Sequence, residues 1–155
     1  MSWIPLAAAG TAAAVALVWI VPRTLLRRSQ DRLASRLLAE SERRFQLLTR
    51  AELVTGKHRR IPGVLGLTEN AVSFSGLFGE SERLPTAEIR KIATGRKLAS
   101  GRRLVRLEIL RFSRPGDEDL EFVLAPSSAA AWRSHLGLWA VAERKSAMDT
   151  VKPGR

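Results

Sequence analysis

Trp3 to Val21 is a run of nineteen residues without one charged side chain. It constrains the chain more than any other feature, because an uncharged stretch of this length crosses a hydrocarbon core as a single helix. Arg23, Arg27, Arg28, Arg32 and Arg36 follow at once, and Lys and Arg beside a span stay cytoplasmic. The expectation is a transmembrane helix over 1–22, single-pass, with its N-terminus outside and the remainder at the inner face of the cytoplasmic membrane. Trp3 and Trp19 stand about 24 Å apart along a helix, a spacing that suits aromatic side chains at the two interfaces, with Arg23, Arg27 and Arg28 at the headgroups. A cleaved signal peptide fits less well. The start carries no basic side chain, and the Ala-x-Ala matches lie inside the run.

The net charge of +11 is unevenly placed. Residues 1–22 carry none of it, 23–50 carry +5, 51–143 carry +3 and 144–155 carry +3. An excess gathered beside the apolar run and in the tail fits attraction to membrane lipids and disfavours a nucleic-acid groove. With no cysteine and only His58 and His135, thiolate chemistry is excluded and a metal site has no ligand cluster. The sequence has no phosphate-cradling glycine loop and no nucleophile motif. Glu118, Asp119 and Glu121 do not form a catalytic set, because alternate strand residues face opposite ways. The expectation is a protein that is not an enzyme, with no cofactor.

From Thr24 to Arg50 there is neither Gly nor Pro, and Leu26, Leu33, Leu37, Leu38, Phe45 and Leu48 recur at helical spacing. This predicts an amphipathic stalk over 23–50 that lies on a membrane, pairs with a partner helix or folds back on the domain. After Gly56 the pattern turns to β. Val64 to Leu67 and Val72 to Phe78 read as strands, the second alternating about Val72, Phe74, Gly76 and Phe78. Gly79 to Glu82 reads as a turn, and Ile89 and Ile92 mark a further short segment. Leu104 to Phe112 reads as a strand with a bulge near Leu110 and Arg111. Arg114-Pro115-Gly116-Asp117 turns it into Leu120 to Leu124. A helix then starts near Ser127 as N-cap, with Trp132, Leu136 and Trp139 on one apolar face as structural core. The predicted fold class is mainly β with flanking helices (α+β), the small β-barrel or sandwich of 51–143 being closed by that helix and followed by a flexible basic tail at 144–155.

Two basic clusters are the candidate binding residues. Lys57, His58, Arg59 and Arg60 follow Gly56; Arg96, Lys97, Arg102 and Arg103 flank Ala99-Ser100-Gly101. Both can donate charge-assisted hydrogen bonds to anions, and both can equally be solvated loops.

Three segments carry a family resemblance. Gly63-Val64-Leu65-Gly66-Leu67-Thr68 with Val72 and Phe74 resembles a GRAM-like hairpin. Arg83-Leu84-Pro85 with Glu88-Ile89 resembles the segment after it. Leu120 to Leu124 with Ala130-Ala131-Trp132 and Leu136 resembles the closing strand and helix, whose Trp packs into the barrel. In this order, over about residues 51–140, they resemble the pleckstrin-homology superfold in its bacterial and GRAM-like branches. The resemblance implies a non-catalytic binding or scaffold module that recruits a protein or an acidic lipid. The basic turn at Lys57 to Arg60 occupies the place of the family's lipid-binding loop, without the basic pattern along the next strand that marks phosphoinositide binders. The alternative is a single-span accessory subunit of a larger membrane complex.

Overall fold

The computed structural model describes residues 4–40, 45–57, 59–116 and 118–137, with side chains from residue 21 onward except at Glu40. Helix α1 covers Ile4–Glu40. Seven strands follow: β1 (Leu47–Thr55), β2 (Arg59–Leu67), β3 (Ala71–Gly76), β4 (Ser81–Pro85), β5 (Lys91–Gly95), β6 (Glu108–Ser113) and β7 (Leu120–Leu124). Helix α2 occupies 126–137 of the described residues. The strands form one antiparallel sheet in the order β4-β3-β2-β1-β7-β6-β5. Each strand neighbours the next in sequence except β4 and β5, which stand at opposite edges, and β7 returns to lie beside β1.

The predicted transmembrane helix is corrected. Among the described residues, no helix is long and apolar enough to cross a membrane. Residues 4–22 are not set off as an element of their own, because α1 runs on through Pro22 to Glu40. Its second half carries arginines every few residues and packs against β1 and β2. Trp3 and Trp19, the expected interface residues, lie outside the described side chains.

The predicted stalk boundary is also corrected. Leu47 to Arg50 are strand, paired with β2 from Leu47↔Leu67 onward. The helical stripe overran because no Gly or Pro punctuates the change. The small Thr49 and Ala51 weaken the period-2 signal of Leu47, Thr49, Ala51 and Leu53.

The sheet has two covered faces. On the inner face Ala51, Leu53, Leu65, Phe74, Leu110, Phe112 and Phe122 form the main core with Ala129, Trp132 and Leu136 of α2. Trp132 is fully buried. It meets Phe112 edge-on at 6.2 Å between ring centroids, and its Nε1 donates to Thr49 Oγ1 at 2.8 Å, so its polar handle is satisfied inside the core. The sheet curls enough to bring Phe74 of β3 within 5.5 Å of Phe122 of β7. Gly63 makes the curl possible, since a Cβ there would stand 2.6 Å from the Phe74 ring and 2.3 Å from Ser75 O.

On the outer face α1 lies over β1 and β2. Gln30 is buried, and its amide nitrogen donates to Ala51 O at 3.3 Å and Gly63 O at 2.9 Å. Arg50 forms a two-pronged pair with Asp31 at 2.7 and 2.8 Å. The stalk alternative that the structure displays is therefore docking on the domain.

Beside α1, Leu98 and Leu104 pack on Ile109 and Val123 as a second apolar cluster. This cluster explains the phase slip near Leu110. The pairing of β6 with β5 and β7 is regular, and the expected bulge is absent. Ile109 and Leu110 are both buried because both faces of the sheet are covered. The predicted strand Leu104–Phe112 begins only at Glu108, since the preceding residues fold over the outer face. Helix α2 starts two residues earlier than Ser127 as N-cap would place it. Pro126 takes the first helical position, where its missing N–H costs nothing, and Ala129 N–H donates to Ala125 O, which puts Ser127 inside the first turn.

Candidate functional site

The two basic clusters meet different fates. The turn between β1 and β2 presents Lys57 to solvent. Its neighbours are engaged, Arg59 with Glu80 at 3.4 Å and Arg60 with Glu52 at 3.4 Å. His58 lies outside the described residues. The Arg59–Glu80 pair joins this turn to the next one, between β3 and β4. There Phe78 is 76% exposed. The sequence reading placed Phe78 on an alternating strand, but β3 ends at Gly76. The chain reverses through Gly79, whose φ of +96° suits only glycine. Ser81, read as turn, opens β4.

The second cluster lies on the excursion between β5 and β6. Residues 96–107 double back as a small hairpin with an isolated bridge between Lys97 and Arg103. Leu98 N–H donates to Arg102 O and Leu104 N–H to Arg96 O. The segment holds Arg96, Lys97, Arg102, Arg103 and Arg106, with no acid. All five are exposed, and none is paired with an acid among the described residues. Lys97 and Arg103 stand opposite each other in the bridge, an arrangement that like charges resist.

A polar staple, not evident in the sequence reading, holds the hairpin from below. Glu121 is only 5% exposed. It accepts from Ala99 N–H at 2.9 Å and from Arg111 Nε at 2.8 Å, with a further short contact to Arg111 Nη2. Arg111 in turn donates to Lys97 O at 3.3 Å. The signal lay in the hairpin register, where Glu121 of β7 falls opposite Arg111 of β6. Leu98 and Leu104 supply the apolar half of the attachment. The five bases are thus carried outward on a loop anchored by its own inward side chains.

Between α1 and the base of this hairpin runs a groove of about 580 Å³, floored by Leu48, Arg50, Glu52 and Val123 and bounded by Arg27 and Ser128. Arg23 and Arg28 are exposed on α1. Among the described residues no group of three His, Cys, Asp or Glu is arranged to hold a metal ion. Trp132 and Leu136 are buried in the main core, while Trp139 and residues 144–155 lie outside the described residues.

No family model matches the chain, and no curated protein matches it. Among solved structures it is similar to the crystal structure of the C-terminal domain of an unknown protein from Leishmania infantum. That match has 11% identity and a TM-score of 0.51, covering 76% of this chain and 97% of the other. At this identity the likeness concerns the fold alone.

Proposed function

We propose that the chain is a non-catalytic, pleckstrin-like binding module that docks peripherally on an acidic lipid surface through its β5–β6 hairpin. The reading of the superfold rests on the strand order with β7 returned beside β1 and on the closing helix that buries Trp132. The single observation that carries the docking surface is the charge of that hairpin: five exposed bases, no acid in the segment and no acid partner among the described residues. Such a cluster self-repels, and a dense array of anions relieves the repulsion. Val105 at 84% exposure adds an apolar group beside the bases, able to enter the headgroup layer. Docking of this kind needs no spanning helix, and each base near an anionic leaflet contributes about 1 kcal/mol.

Vesicle flotation tests the proposal. The chain should float with phosphatidylcholine vesicles that contain phosphatidylserine, more than with phosphatidylcholine alone, and the difference should shrink as salt rises. Equal flotation with both vesicle types at low salt would refute it.

A further inference from the structure

Strand β1 is paired along one edge only in part. It pairs with β2 over its whole length, from Leu47↔Leu67 to Thr55↔Arg59, but with β7 only over Glu52, Leu53 and Val54. The direction of its main-chain groups follows from the neighbouring pair. Leu77 N–H donates to Pro62 O across β2 and β3, so even-numbered residues of β2 turn their main chain toward β3 and odd-numbered ones toward β1. Within β1 the odd residues therefore face β2, and Leu48, Arg50, Glu52 and Val54 face the β7 side. Glu52 and Val54 meet Val123 and Glu121 there. Among the described residues Leu48 and Arg50 meet no strand, because β7 ends at Leu124 and the chain turns into α2. Their N–H and C=O groups open into the groove between α1 and the hairpin base, which both residues line.

An unpaired edge inside a groove is a template for strand addition. The surrounding charge selects the occupant. The acid and base on the groove floor are already used, Arg50 with Asp31 and Glu52 with Arg60. Arg27 on the groove wall has no acid partner among the described residues. Ser127 and Ser128 offer hydroxyls on the opposite wall. We infer that this groove takes an extended acidic peptide segment of a partner protein, which adds as a short strand to the β1 edge at Leu48 and Arg50 and sets a carboxylate against Arg27. This goes beyond the lipid reading and does not depend on it, since the groove edge and the hairpin bases are separate surfaces.

The test uses the full chain and an array of randomised seven-residue peptides. Retained peptides should be enriched in Asp and Glu, and proline should be excluded from alternate positions, because a strand that pairs with the edge must donate its N–H groups. Bound to the best retained peptide, the Leu48 and Arg50 amides should exchange with deuterium at least about tenfold more slowly. Arg27→Glu, a change at an exposed side chain, should weaken that peptide by roughly fivefold or more. Neutralising Arg96, Lys97, Arg102 and Arg103 should leave peptide binding in place while reducing vesicle binding, so the two proposals can fail separately. No retained peptide, retention without acidic enrichment, or unchanged exchange at Leu48 and Arg50 would each overturn the inference.

Discussion

Replacing Glu121 by Ala tests whether the hairpin is fastened to the sheet as described. The carboxylate is buried and takes hydrogen bonds from Ala99 N–H and the Arg111 guanidinium. Hydrogen bonds to a charged group contribute about 1.5–3 kcal/mol, and breaking a fully buried ion pair costs about 3–5 kcal/mol. Two features lower the figure here. The Arg111 side chain is 29% exposed, so water replaces part of what it loses, and Ala99 is exposed, so its N–H can be hydrated once the loop lifts. The expected loss is about 2–3 kcal/mol. With a urea m-value near ~1.5 kcal/mol/M, the midpoint should fall by about 1.3–2 M. Glu121→Gln, which keeps an acceptor for Ala99, should lose less. Hydrogen exchange at the Ala99 amide should speed up in the Ala variant, since its acceptor is gone. A midpoint that moves by less than about 0.3 M, with Ala99 exchange unchanged, would refute the staple.

Three further perturbations probe the frame. Trp132→Ala should cost about 3–5 kcal/mol by thermal or urea unfolding, because the indole is fully buried against Phe112 and bonded to Thr49. Gln30→Ala should cost about 1–2 kcal/mol and raise hydrogen exchange in the second half of α1, since Gln30 carries the buried polar contact of that helix with β1 and β2. Phe78→Ser should change the unfolding midpoint by no more than the equivalent of about 0.5 kcal/mol, because the ring stands 76% exposed at a turn tip.

Much of the sheet was legible where one face alone carries the apolar residues. Leu120, Phe122 and Leu124 alternate in the sequence because they share the inner face, and all three join the main core. The apolar spacing of Trp132 and Leu136 likewise follows one face of α2. The reading failed where a second layer covers the sheet. Leu104 and Leu107 look like more of β6 because they are apolar, yet they are apolar in order to fold onto the back of β6 and β7. The free choice of face at Ile109 and Leu110 then imitates a bulge. Phe78 misled for the opposite reason, since it is in phase with Val72 and Phe74 but lies past the end of the strand. The largest error came from treating length and lack of charge at Trp3 to Val21 as sufficient for a separate element, when the chain continues as one helix into a docked, arginine-rich half.

The two basic clusters differed in a related way. Counting bases ranked the Lys57 turn and the Arg96 hairpin as equals, because acids supplied by other strands cannot be seen locally. Glu52 and Glu80 reach Arg60 and Arg59 only once β1, β2 and the β3–β4 turn are assembled. Gln30 left a fainter trace. It falls four residues after Leu26 and three before Leu33, on the apolar stripe of α1, and a carboxamide placed there needs polar partners beneath it.

The central claim is that the hairpin, and not the β1–β2 turn, meets the anionic surface. Two full-length variants that remove the same charge decide it by flotation with phosphatidylserine vesicles at low salt. One replaces Lys97, Arg102 and Arg103 with Gln, and the other replaces Lys57, Arg59 and Arg60 with Gln. The hairpin variant should bind about a hundredfold more weakly, from roughly 1 kcal/mol per base, and the turn variant no more than about fivefold more weakly, because two of its three bases are already paired. Equal loss in the two variants, or the larger loss in the turn variant, would contradict the account.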